Sequence, residues 1–174
     1  GFVPVAVGGS PIAAWVPGAT HEQTGARPYD DAVARIRAAK PLGTFRAILW
    51  HQGESDATAE SAPRYERGLR SVIERLRAET GDPELPVLIG QLGRFTAAPW
   101  TAWHTQVDMA HRRLAADLRN VAFVSSDGLV DKGDALHFDS ASARLLGRRY
   151  AEAYRAMTRQ WRPAARHLQG RLFR

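Results

Sequence analysis

Four short apolar runs, each closed by a polar or glycine-containing cluster, constrain this chain more than any other feature. The runs are Val3–Val7, Ala47–Trp50, Val87–Ile89 and Val121–Val124. They are continuous rather than alternating and rich in β-branched residues, the pattern of parallel strands buried on both faces. Between them lie stretches of helical period. Tyr65, Leu69, Val72, Ile73 and Leu76 form one apolar stripe. Pro63 near its start and Gly81 after its end sit where helices open and close. Trp103, Val107, Ala110 and Leu114 form a second stripe. A last helix follows Asp139-Ser140, with Leu145, Leu146, Ala153, Tyr154, Met157 and Trp161 mostly inward, and Asp30–Ala39 is a weaker helix. Strand–helix alternation of this kind predicts an α/β fold, with helices on both faces of a parallel sheet.

Ligands bind such sheets beyond the carboxyl ends of the strands. Gly8-Gly9-Ser10, His51-Gln52-Gly53-Glu54, Gln91 and Ser125-Ser126-Asp127 follow the four runs in turn. Independent runs thus bring polar residues to one edge, where a site is expected.

The 174 residues suit a single domain. Hydrophobic residues at 44% and charged residues at 24% exclude global disorder. No apolar run approaches the roughly 18 residues that span a bilayer, so no membrane partner is expected. Cysteine is absent, which excludes disulfides and thiolate metal sites. The net charge of +6 rests almost wholly on arginine, Lys40 and Lys132 being the only lysines. Acidic residues interleave with the arginines, as in Glu66-Arg67 and Glu74-Arg75, so the pattern reads as solvated helix surface and no nucleic-acid partner is expected. The tail Arg162 to Arg174 is locally more basic. The chain opens at Gly1 inside an apolar run and reads as one piece of something longer.

Three constellations can carry chemistry. In Asp134-Ala135-Leu136-His137, a carboxylate three residues before an imidazole can reach back to one ring nitrogen and leave the other free as a base. The same residues also fit a helix-entry loop in which Asp134 caps and His137 is merely exposed. In Trp50-His51-Gln52-Gly53-Glu54-Ser55-Asp56, Gln52 can donate an amide hydrogen to an oxyanion, and Gly53 permits close backbone approach. Glu54 fits a second acid, a hydrogen-bond partner or a strut; a plain turn is the alternative for the whole run. In Gly8-Gly9-Ser10, a backbone N–H can point at developing negative charge, or the glycines simply turn the chain. His51, Glu54 and Asp56 fall in one loop with no second ligand group at a metal-binding spacing, so no metal or other cofactor is expected.

Taken in order, these segments resemble the sialate O-acetylesterase and acetylxylan esterase group, carbohydrate esterase family six of the SGNH hydrolases. The matching pieces are the stretch from Val5 to Trp15, Trp50-His51-Gln52-Gly53-Glu54-Ser55-Asp56, Ile89-Gly90-Gln91-Leu92, Asp134-Ala135-Leu136-His137-Phe138 and Leu146-Gly147-Arg148-Arg149-Tyr150. The resemblance implies a three-layer α/β/α sandwich of flavodoxin-like SGNH type and an acyl-serine mechanism on acetylated carbohydrate. It implies His137 as general base, Asp134 as its orienting acid, and Gly9 (less surely Gly8) and Gln52 as oxyanion donors. Glu54 is then a supporting residue or a competitor for the role of triad acid. Export is common in the family.

One departure stands out. The family nucleophile lies in a Gly-Gln-Ser-Asn-like motif upstream of the Gly-Gly block, and no such motif occurs here. The strand that carries it is interior to the family's sheet, and without it the neighbouring strands stand about 10 Å apart, two strand spacings. The expectation is therefore a single domain over residues 1–174 that lacks an N-terminal nucleophile segment. Ser10 falls in the oxyanion block, Ser55 lies in a sequence that lacks the last glycine of a Gly-x-Ser-x-Gly elbow, and Ser126 follows a run beside Asp127. None is assigned as nucleophile. The alternative is a catalytically inactive remnant that binds carbohydrate, with Trp15, Trp50, Trp100 and Trp103 stacking on sugars.

Overall fold

The structure is a computed structural model that describes residues 1–160. Trp161 and the basic tail lie outside the described residues. Three parallel strands form the sheet in the order β1 (Ile48–Trp50), β2 (Val87–Gly90) and β3 (Val121–Val124). Trp50 pairs with Ile89, and Ile89 with Phe123. Helix α1 (Pro28–Ala39) precedes β1; α2 (Ala62–Thr80) and α3 (Ala102–Asp117) connect the strands; α4 (Ser140–Gln160) follows β3. Strands adjacent both in sequence and in the sheet, joined by crossovers of one hand, place α2 and α3 on the same face.

Side chains alternate across β2 and sort the core into two layers. Val87 and Ile89 join Trp50, Tyr65, Leu69, Ile73, Val107 and Leu114 on the face covered by α1, α2 and α3. Leu88 points the other way, to Val124, Leu129 and Leu146 under α4. Every residue of β2 is buried, which is why its sequence is continuously apolar. The chain is thus the expected α/β sandwich, with helices on both faces of a parallel sheet.

Local signals set the helix ends. Pro28 opens α1, with Asp30 and Asp31 against the positive end of the helix. Gly81 closes α2 at φ 83°, returning its N–H to the carbonyls of Arg77 and Ala78. Thr101 and His104 form a reciprocal cap on α3. The stripe of α2 is buried as expected, whereas Trp103 at the start of α3 is half-exposed and its place on the buried face is taken by His111.

One expected strand does not form. Val3–Val7 makes no ladder, and β1 spans only Ile48–Trp50. Pro4 lacks an N–H, and its carbonyl is used by the Arg35 guanidinium at 2.6 Å. Val5 packs against the larger core cluster. Only Val5 and Val7 of the segment are partly buried, no partner strand is hydrogen-bonded to it, and Phe2 stays exposed.

At the end of β2, a Cβ on Gly90 would lie 2.0 Å from Tyr150 Oη and 2.5 Å from His51 Nδ1. The missing side chain lets Tyr150 donate to the Trp50 carbonyl at 2.9 Å, tying α4 to β1. Gly90→Ala is expected to lower unfolding stability by about 1–3 kcal/mol through overpacking. Gly147, on the open face of α4, has no atom near its Cβ position; Gly147→Ala is expected to raise stability by about 0.5–1 kcal/mol. Urea unfolding of the two variants checks the opposite signs.

Candidate active site

The His137 loop leaves the sheet after β3 and is stitched by its own backbone. Lys132 N–H donates to the His137 carbonyl at 2.9 Å, and Asp139 N–H to the Val130 carbonyl at 3.0 Å. Asp131 Oδ2 accepts from Gly133 and Ala135 N–H at 3.0 and 2.7 Å. This geometry places Ala135 at φ 57°, an uncommon conformation for a non-glycine residue. The turn brings Asp134 back onto His137. Asp134 Oδ1 accepts the His137 and Leu136 backbone N–H groups at 2.8 and 3.0 Å, and Oδ2 lies 2.7 Å from His137 Nδ1. The His137 N–H, the His137 ring, Leu136 N–H and Lys132 together hold the Asp134 carboxyl well below the usual carboxylate range. An ionised carboxylate only accepts, so the ring hydrogen sits on Nδ1. Nε2 of His137, on a side chain more exposed than buried, has no partner among the described residues.

A second group joins the loops after Val3–Val7 and after β1. Ser55 Oγ donates to the Gly9 carbonyl at 2.8 Å. Gln52 Nε2 donates to the Ser10 carbonyl at 3.0 Å and to Asp56 Oδ2 at 2.5 Å, and the same Asp56 oxygen accepts Ile12 N–H at 2.9 Å. Asp56 is fully buried; burial pushes its carboxyl up, partly offset by Gln52 and the Ile12 N–H. Beneath it, the Tyr65 hydroxyl reaches Gln52 Oε1 at 3.0 Å and the Gln52 carbonyl at 2.8 Å, and stands 2.8 Å from His111 Nε2. Burial lowers the His111 pKa to about 4, so the ring is neutral at pH 7. Gly9 has φ 71°, a conformation that glycine adopts without strain. Its N–H has no acceptor among the described residues.

Glu54 stands apart from the dyad. His51 Nε2 is 3.9 Å from Glu54 Oε1, whereas His137 bonds Asp134. Glu54 nonetheless shares a cavity of about 40 Å³ with Leu92, Phe95, Trp100, Ala135 and Leu136, so the loop after β1 and the His137 loop face one space. Phe138 packs edge-on against Phe95, which lines that space, and against His51, at 5.3 and 5.7 Å between ring centres.

The three candidate serines are committed elsewhere. Ser10 Oγ, 2% exposed, donates to the Val7 carbonyl and accepts from Trp15 Nε1. Ser126, equally buried, donates to the Leu92 carbonyl at 2.7 Å. Ser55 bonds Gly9. None contacts His137. Of the tryptophans, Trp15 and Trp50 are buried and meet edge-on, Trp100 lies against the Arg94 guanidinium and the His104 ring, and Trp103 is exposed.

Sequence reasoning missed Tyr65, His111 and a role for Asp56. Tyr65 was indistinguishable from the apolar residues of its stripe. His111 carried a readable signal: it lies four residues after Val107 and three before Leu114, on the buried face.

A parallel sheet sandwiched by helices, with polar loops gathered at its carboxyl edge, gives the chain a fold of SGNH type. Residues 1–156 match the family model for "Carbohydrate esterase, sialic acid-specific acetylesterase", and the chain belongs to that family. A probable carbohydrate esterase of Arabidopsis thaliana is 31% identical over 156 residues, 88% of this chain and 55% of that protein. The crystal structure from that Arabidopsis locus superposes with a TM-score of 0.71 at 30% identity, covering 86% of this chain and 58% of the other. A carbohydrate acetylesterase from Xanthomonas citri superposes at 0.68 with 25% identity, covering 88% and 36%. NanS, at 20% identity, shares the fold with a TM-score of 0.63, covering 88% and 63%. The chain spans a little over half the length of the Arabidopsis protein.

Because the Asp134 carboxyl is stabilised in its charged form, its contribution is present above its unfolded-state pKa and lost as pH falls through the lowered folded value. Hydrogen-exchange protection of the His137 backbone amide is expected to persist through the ordinary carboxylate range near pH 4 and fall only below it. The downfield Nδ1 proton of His137 is expected in proton NMR spectra of Glu54→Ala and absent in Asp134→Ala; the reverse result would make Glu54 the partner acid.

Proposed function

We propose that this chain carries the base, acid and oxyanion donors of a carbohydrate O-acetylesterase that works through an acyl-serine, with the serine supplied from sequence outside these 174 residues. The observation that carries the reading is the Asp134–His137 pair, with its free Nε2, on a fold of the carbohydrate esterase family. The commitment of Ser10, Ser55 and Ser126 to other partners supports an external nucleophile.

In this mechanism the serine oxygen attacks the acetyl carbonyl carbon while His137 Nε2 takes the hydroxyl proton. Asp134 keeps the Nδ1 hydrogen in place and stabilises the imidazolium. The carbonyl oxygen becomes an oxyanion, held by Gly9 N–H and one Gln52 Nε2 hydrogen. Collapse breaks the bond to the sugar oxygen, which leaves with the proton from His137. Water then attacks the acetyl-serine, giving its proton to His137, and acetate departs as the serine oxygen is reprotonated. The substrate is an acetylated carbohydrate, in keeping with the family and with the described activity of the Xanthomonas relative.

The test is acetate release from p-nitrophenyl acetate and acetylated xylan, comparing these 174 residues with the protein expressed from its natural start. Activity is expected only in the longer form, and His137→Ala is expected to abolish it. An inert longer form would overturn the esterase reading; activity of the 174 residues alone would overturn the external serine.

A further inference from the structure

The Gln52 amide has no uncommitted hydrogen in the resting site. Both of its Nε2 hydrogens are in use, one on Asp56 Oδ2 and one on the Ser10 carbonyl. Its Oε1 and the Gln52 backbone carbonyl share the single Tyr65 hydroxyl hydrogen, at 3.0 and 2.8 Å. An amide that is to serve an oxyanion must surrender one of these bonds, and its surroundings decide which.

The buried partners fix the direction of the chain of bonds. His111 Nδ1 has no hydrogen-bond partner among the described residues. A buried orphan N–H is rarer than a bare acceptor, so the ring hydrogen belongs on Nε2, where it donates to Tyr65 Oη. Trp50 Nε1–H donates to the same oxygen at 3.3 Å. With both lone pairs taken, the Tyr65 hydroxyl must donate, and it meets Gln52 Oε1 and the Gln52 carbonyl. The amide oxygen therefore turns to Tyr65 and the amide nitrogen to Asp56. Reversing the amide would set an NH2 against Tyr65 and an oxygen against a carboxylate. Asp56 also holds Ile12 N–H, so the same side chain fixes the Gly9–Ile12 segment relative to Gln52. Its second oxygen, Oδ1, is buried without a partner among the described residues, so both contacts of this carboxyl run through Oδ2.

We propose that Asp56 and Tyr65 are positioning residues that grip the Gln52 amide from its nitrogen and oxygen ends, so that only the hydrogen now on the Ser10 carbonyl passes to the substrate oxyanion. The exchange costs the bond to the Ser10 carbonyl but keeps Gln52 in one rotamer and leaves the buried chain from Tyr65 to His111 in place, which limits the reorganisation at the moment of reaction. The inference rests on Gln52 being an oxyanion donor.

Two measurements test it separately from that reading. The first needs no activity: the Gln52 side-chain amide protons are followed by nitrogen-15 NMR in the 174 residues. They are expected to exchange slowly and to stand apart from solvent-exposed glutamines, and to move toward those positions in Tyr65→Phe, which removes a single oxygen. Unmoved resonances in Tyr65→Phe would overturn the grip. The second uses ester hydrolysis by the protein expressed from its natural start. Gln52→Ala is expected to lower kcat roughly 100-fold. Tyr65→Phe and Asp56→Ala are each expected to lower kcat by roughly ten- to a hundredfold with KM within about twofold. On the Gln52→Ala background the same substitutions are expected to cost less than about twofold more, because the group they position is gone. Losses that multiply on that background would show a merely structural role and overturn the proposal. If the wild type hydrolyses no ester, the functional reading fails, and the NMR result still decides whether Asp56 and Tyr65 hold the amide.

Discussion

The burial of β2 on both faces is the constraint from which the rest of the structure follows. A strand with helices above and below it carries no polar side chain along Val87–Ile89, so polar groups can collect only where the strands end. Gly90 marks that limit. The space its missing side chain leaves admits Tyr150 from α4, whose hydroxyl satisfies the Trp50 carbonyl at the point where β1 gives way to the His51–Asp56 loop. One residue later Gln91, fully buried, uses its amide to bridge Asp108 on α3 and the Ser126 N–H after β3. The edge is therefore held by hydrogen bonds between neighbouring strands and helices, and the loops that leave it start from fixed positions.

Two aspartates on those loops show how environment divides one chemical group into two uses. Asp134 is solvent-exposed, yet two backbone N–H groups, an imidazole and a lysine favour its charged form. Such a carboxylate stays ionised and keeps the His137 ring in one tautomer. Asp56 is sealed from water, and desolvation outweighs its two hydrogen bonds. It serves as an acceptor of fixed direction, binding one loop to another. Exchanging the two settings would leave an imidazole poorly oriented and a charge buried without sufficient partners.

The fold was legible where the pattern was repetitive. The α2 stripe, the apolar runs of β1 to β3 and the capping glycine at position 81 all express burial or backbone geometry that local sequence encodes. Val3–Val7 has the same composition as a buried strand but no ladder, because strand formation requires a partner that composition cannot supply. The pairing of Asp134 with His137 was legible because three residues of separation bring a carboxylate to a ring within one turn. The grip on Gln52 was not. Tyr65 lies 46 residues from His111 and 13 from Gln52, and only the packing of α2 against α3 under the loop brings the three together.

The division of labour that the proposed mechanism assigns to the two loops has a physical reason. A general base must swing between accepting and returning a proton, and so needs one ring nitrogen open to solvent or substrate. The His137 loop supplies this by fixing the Asp134 side of the ring with local bonds and leaving the other side free. An oxyanion donor gains from rigidity, since any motion lost on meeting the developing charge detracts from its effect. Gln52 accordingly sits over a buried chain that runs through Tyr65 to His111. In the proposed mechanism, locating the mobile proton on an exposed loop and the fixed dipole above the core lets each be tuned without disturbing the other.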